Sequence, residues 1–144
     1  MELSSLDFYS EDIDFVLPQE DHVSSWIQKT ARQYDCLIEN VSIVFCSDSY
    51  LLDLNQQHLN HDYYTDILTF PFHEPGTKWL MGDIFISIDR VRENAVTTKN
   101  SFSNELHRVI IHGILHLIGF NDQSEEEESK MRLLEDAALL TRDF

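Results

Sequence analysis

Two histidines four positions apart, His112 and His116, lie in the stretch "HGILHLIGFND". On a helix, side chains at i and i+4 leave the same face one turn apart, so both imidazoles can reach one metal ion. Zinc bonds to nitrogen at about 2.0–2.1 Å, which demands ligands this close together. A lone histidine on an apolar face is usually a satisfied core residue. A pair in so apolar a helix is harder to satisfy, because each ring needs a partner in a dry environment. Gly119 then stops the helix and the chain can turn back, which lets Asp122 reach the open side of the pair. Two histidines and a carboxylate, with a fourth position left for water, form the pattern of a catalytic zinc site. The expected site is therefore one Zn2+ per chain on His112, His116 and Asp122. Asn121 is a weaker ligand and better used in the turn, and Glu125, Glu126 and Glu127 read as helix-capping charges. Gly113 stands where H-E-x-x-H zinc peptidases carry the glutamate that activates water, so a peptidase reading lacks its base. A mid-helix glycine costs about 1 kcal/mol relative to alanine, which points to close approach of a strand or a ligand.

The elements that must carry these groups follow from apolar periodicity. Val23, Trp26, Ile27, Ala31 and Tyr34 give a helix over Asp21–Tyr34, with Asp21 as the N-cap. "NVSIVFC", residues 40–46, is β-branched and short and reads as a buried strand. Ser47 or Asp48 caps a helix through "YLLDLNQQHLN". "DILTFPF" and "MGDIFISI" are strands separated by a turn at Pro75 and Gly76, and "DRVRENAVTTKN" is a short helix. From about Ser103 to Ile118 a helix is apolar nearly all round and belongs at the centre of a domain. Ser124 with Glu127 makes a capping box for a last helix striped by Met131, Leu134, Ala138 and Leu139. A first strand is expected around "IDFVL", residues 13–17. The irregular alternation predicts an α+β fold, with a small mixed sheet packed against a buried central helix that carries the metal ligands and with further helices at its flanks. Residues 1–144, with 4 glycines and 3 prolines, read as one continuous domain.

Bulk properties narrow the class. No apolar run approaches the ~20 residues of a membrane helix. The acidic start "MELSSLDFYSEDIDF" lacks the basic and apolar regions of a secretory signal. Cys36 and Cys46 make no C-x-x-C motif and read as buried thiols. Together these predict a soluble cytoplasmic chain. A net charge of −16 argues against a general nucleic-acid binder, DNA-binding included, because each phosphate contact wants a cation. It argues only weakly against a site-specific nuclease, which can use a local groove, a metal or a basic protein partner.

"HGILHLIGFND" resembles the motif H-G-x-L-H-L-x-G-Y/F-D-H of the YbeY family of bacterial rRNA maturation factors. The likeness continues in "LNQQHLNHDYYTDILTFPF" at Leu54, Asn55, Asp62, Thr65, Asp66, Leu68, Phe70, Pro71 and Phe72. It extends to "MGDIFIS" at Gly82, Asp83, Ile84, Ile86 and Ser87, and to Glu105 ahead of His112. Coverage runs from about residue 20 to residue 140. The resemblance implies a metal-dependent single-strand endoribonuclease of 16S rRNA 3′-end maturation and ribosome quality control. Its implied partners are rRNA and the small ribosomal subunit, with a basic ribosomal protein to suit the acidic surface and no membrane. It also implies that Asp66 and Asp83 hold hydrogen bonds to the imidazoles; the alternative is that they cap strand ends. The competing classes are a non-catalytic assembly factor with a structural zinc and a zinc hydrolase of another substrate.

The chain departs from the family pattern twice. The family's third histidine falls at Asp122, whose charge makes a water at the metal less acidic. The activity–pH profile should therefore lie above that of an Asp122→His variant; superimposable profiles would refute this. The family arginine that follows N-x-x-Y falls at Leu59. The resemblance implies that this arginine meets the phosphate, a role leucine cannot fill; the cations that could compensate are His58, His61, Lys78 and Arg108, with His61 the catalytic candidate, and the sequence does not choose among them.

Overall fold

The computed structural model describes residues 5–59 and 65–144. Four strands form one sheet: β1 (Ser5–Ser10), β2 (Leu37–Cys46), β3 (Ile67–Pro71) and β4 (Trp79–Ser87). Their order is β1-β2-β4-β3, with β1, β2 and β4 parallel and β3 antiparallel to β4. The sheet is mixed, as expected for an α+β chain. Helices α1 (Glu20–Gln33), α2 (Asp48–Leu59), α3 (Ile88–Thr97), α4 (Phe102–Ile118) and α5 (Glu125–Leu140) complete the described elements. None of the described helices is long and apolar enough to cross a membrane.

Strand alternation sends side chains to two different layers. Val41, Ile43, Phe45, Ile84 and Ile86 join α1 and α4 in the main core. Cys46, Leu68, Phe70 and Phe85 pack instead with Leu51 and Leu54 of α2 on the opposite face. Helix α4 is central. Ile110, Ile111 and Ile114 are fully buried, and each such side chain contributes about 1.5–3 kcal/mol by leaving water.

The helix ends follow from local chemistry. Ser101 caps α4 by accepting from the Asn104 N–H, and Ser87 caps α3 from Arg90. Ser124 and Glu127 make both halves of the expected capping box. Ser47, rather than Asp48, accepts from the Tyr50 N–H at the start of α2. Two expectations fail. Asp21 is not the cap of α1: it lies in the first turn, and Gln19 precedes the helix with φ 56° and no side-chain cap. The first strand is residues 5–10, not 13–17. Leu6 and Phe8 alternate onto the core and pair in register with Val41 and Ile43. "IDFVL" is apolar for another reason: Phe15 meets Phe45 and Phe102 edge-on, and Leu17 is buried beneath them.

The C-terminus ties α1, α4 and α5 together. The Trp26 indole donates to the Ala138 carbonyl at 2.9 Å. Arg142 donates to Nδ1 of His107 at 2.7 Å and to Asn104 at 2.8 Å. His107 is 5% exposed, and its ring lies against Trp26 and Phe144. Burial, and then the Arg142 guanidinium, push this imidazole from 6.5 down to about 4. Between those two values the unfolded chain binds the extra proton, so stability rises with pH. The contribution is complete above 6.5 and is lost as pH falls toward about 4. It amounts to about 3 kcal/mol. His107→Gln should flatten the fall in melting temperature across that window; parallel wild-type and variant curves would rule it out.

Candidate metal centre

Helix α4 presents His112 and His116 on one face, and Gly119 ends it with φ 127°. The Gly119 and Phe120 N–H groups both close back on the Leu115 carbonyl. That wrap returns the chain over the helix end and brings Asp122 to the histidines. Nε2 of His112 and Nε2 of His116 are 3.0 Å apart. Oδ2 of Asp122 stands 3.3 Å from the first and 3.4 Å from the second. A tetrahedral ion with bonds of about 2.0–2.1 Å separates its ligand atoms by about 3.3–3.4 Å, so this triangle has the size of one face of such a site.

The protons support the same conclusion. Nδ1 of His112 lies 2.6 Å from Oε2 of Glu135. A carboxylate only accepts, so Nδ1 carries the hydrogen, and in the neutral ring Nε2 turns a lone pair to the centre. The Phe120 backbone is a further partner of the His116 ring. Three potential ligand atoms therefore converge within reach of a single cation. Burial lowers the pKa of both imidazoles. Glu135, with Asp122 and Asp66, overcomes it at His112, whose pKa is raised. At His116 burial and the charge of His112 prevail, and the pKa is lowered. His112, His116 and Asp122 can thus hold a metal ion.

With this geometry in view, comparison with known proteins is decisive. The family model described as Endoribonuclease YbeY matches residues 7–142. The chain belongs to the endoribonuclease YbeY family. It is 43% identical to "Endoribonuclease YbeY" of Cytophaga hutchinsonii over 144 residues, all of both chains. It is 47% identical to the protein of the same description from Parabacteroides distasonis over 132 residues, 92% of each. The solution structure of TM1509 from Thermotoga maritima superposes with a TM-score of 0.61 at 27% identity, covering 93% of this chain and 89% of that one.

Family-aligned positions now have places. Gly113 suits tight packing: a Cβ there would stand 2.9 Å from Cδ1 of Ile67 and 3.0 Å from Cγ2 of Ile84, so those side chains would have to shift. The helix presses onto β3 and β4 at that point, where any larger side chain would crowd Ile67 and Ile84. Asp66, just ahead of β3, lies close enough to act on the charge of His112, and its own carboxyl is raised by burial. The direct partner of the His112 ring is Glu135, not Asp66. Asp83 cannot reach either imidazole, because it alternates with Ile84 and so faces α2. Burial raises the carboxyl of Glu105, which lies seven residues before His112 on the same helix face.

The candidate phosphate-facing cations have different surroundings. Arg108 is engaged by Oε1 of Glu135 at 2.8 Å and by Asp136 at 2.5 Å. The His58 ring rests edge-on against Phe70. Lys78 precedes β4 and, among the described residues, is not in the lining of the three cavities that His112 borders. His61 lies outside the described residues. Glu135 was missed in the sequence although a signal existed. It falls on the buried stripe of α5, four residues after Met131 and three before Ala138, where an unpaired carboxylate is too costly to leave.

A groove of about 590 Å³ runs beside the centre. Asn55, Thr65, Asn121 and Gln123 line it together with His116 and Asp122. Asn55 is 1% exposed, so the base of this groove is built into α2.

Proposed function

We propose that this chain is a zinc-dependent, single-strand endoribonuclease of rRNA processing. Its site would be the 3′ end of 16S rRNA, with a role in ribosome quality control. The observation that carries the reading is the triangle of His112, His116 and Asp122, whose edges of 3.0, 3.3 and 3.4 Å suit one tetrahedral ion. Those three residues would hold one Zn2+. When bound, the ion lowers the pKa of a water and polarises a phosphoryl oxygen.

The remaining work belongs to the chain. Glu135 fixes the His112 tautomer and the plane of its ring, as acidic partners of metal-binding imidazoles generally do. Arg108 holds Glu135 in turn. The amides and hydroxyl of Thr65, Asn121 and Gln123 can hydrogen-bond base edges, which only unpaired nucleotides offer freely. His61, shortly before Thr65 in sequence, is the further catalytic residue of this reading. The small ribosomal subunit in the cytoplasm supplies the substrate, and a basic ribosomal protein suits a surface of net charge −16.

The test is cleavage of a single-stranded RNA resembling the precursor 3′ end of small-subunit rRNA. Wild type and His116→Ala are purified in parallel. Cleavage by wild type that is lost with chelator, restored by zinc and absent from the variant supports the reading. Equal traces in both proteins, or none, together with co-sedimentation on small subunits, would make this a non-catalytic assembly factor.

A further inference from the structure

Behind the metal centre lies a cavity of about 330 Å³ lined by Asp66, Glu105 and Glu135 as well as His112. A phosphodiester arriving there meets carboxylates in a chain of net charge −16. A cation beside the metal is needed to offset that repulsion. Arg108 lines the cavity but has both of its terminal nitrogens on Glu135 and Asp136.

Arg132 is placed differently. It lines this cavity and the adjoining one of about 420 Å³, and His112, Asp122 and Glu135 border both. Among the described residues no ion pair or hydrogen bond engages its guanidinium. Helix α5 explains why. Met131 is buried and anchors the helix, leaving Arg132 exposed one step round. The acids one turn further on, Glu135 and Asp136, are already taken by Arg108. Lys130, the other cation on this turn, is drawn away over the Phe120 ring at 5.4 Å.

We propose that Arg132 binds the RNA phosphate at the metal centre. This rests on the endoribonuclease reading. A guanidinium offers parallel N–H donors in a planar fork that matches two phosphate oxygens, which a lysine cannot reproduce. Helix α5 delivers that fork beside Asp122, while the groove of Asn55 and Asn121 lies on the β3 side. A single strand then crosses the centre with bases in the groove and one phosphate between the metal ligands and Arg132.

Zinc-loaded wild type, Arg132→Ala, Arg132→Lys and Lys130→Ala are compared on one short single-stranded oligoribonucleotide. Two readouts are taken: kcat/KM for cleavage, and the dependence of binding on salt by fluorescence anisotropy. Arg132→Ala should lower kcat/KM by about 10²–10³-fold, the usual loss for one donor aimed at developing charge. Its binding should lose about 0.7 from the slope of log K against log salt, the loss of one phosphate contact on a single strand. Zinc content and melting temperature stay at wild-type values, which a structural role would not allow. Arg132→Lys falls between, and Lys130→Ala, with the same charge change on the same helix turn, behaves as wild type. Matching behaviour of Arg132→Ala and Lys130→Ala in both readouts overturns the proposal. Should wild type bind but not cleave, the nuclease reading fails and the salt slope alone decides. A slope lowered only by Arg132→Ala upholds the phosphate contact, and equal slopes overturn it.

Discussion

Replacing His116 with alanine is expected to remove the bound metal and at least about 10³-fold of the RNA cleavage rate. A metal at a phosphoryl oxygen supplies several kcal/mol of transition-state stabilisation, and each 1.36 kcal/mol is tenfold in rate. The triangle of ligand atoms has three corners, and two cannot enclose an ion in the same geometry. His116 is the cleaner corner to remove. The Nδ1 of His112 is tied to Glu135, so cutting at His112 would also strand a buried carboxylate. His116 leaves no buried carboxylate behind, its further partner being the Phe120 backbone. Metal content measured beside cleavage separates the possible causes. A variant that keeps zinc and wild-type cleavage would remove His116 from the ligand set. One that keeps zinc and loses cleavage would move the residue from metal holding to catalysis.

Glu135→Ala is the second large effect, and it acts on two properties at once. Glu135 accepts from the His112 ring through one oxygen and from Arg108 through the other, at 2.6 and 2.8 Å. Side-chain exposures of 18% for Arg108 and 9% for Glu135 place the pair largely out of water. Breaking such a pair from one side costs about 3–5 kcal/mol, mostly from the charge left behind. Loss of the orienting acceptor should weaken metal affinity by about 10–100-fold. The two consequences separate in the Glu135→Gln variant. Its amide oxygen can still accept from Nδ1–H, while its NH2 group faces Arg108 as donor against donor. Stability should then fall more than metal affinity does. Adding Arg108→Leu in that background should recover stability but not affinity. Chemical denaturation and zinc titration of these variants decide the matter. Affinity within a factor of three and stability within 1 kcal/mol of wild type would mean that Glu135 orients nothing.

Much of the centre was legible because it is local. The spacing of His112 and His116, the glycine stop and the return of Asp122 all fall within one helix end. There, helix geometry alone determines which side chains meet. The same holds for the capping box of Ser124 and Glu127 and for the apolar periodicity that marked α4 as central. The failures involve choices among distant segments. Both "SLDFYS" and "IDFVL" are apolar enough for a strand, and only the register against Val41 and Ile43 selects the first. Asp83 shares a strand with Ile84, yet period-two alternation turns it to the opposite face from the histidines.

The sequence by itself determined the three residues that could hold a metal, the central helix and the family, because each rests on contacts within a few turns or on motif order. Only the tertiary structure decided that Glu135 meets His112 from 23 positions away, that Arg108 is bound up by that carboxylate, and that no partner among the described residues engages Arg132. It also decided why residue 113 is glycine, since the atoms that would clash with a side chain belong to Ile67 and Ile84 on two strands. Helical period and capping are encoded one turn at a time. Which buried carboxylate meets which imidazole depends on how whole elements pack, and no local pattern carries that choice.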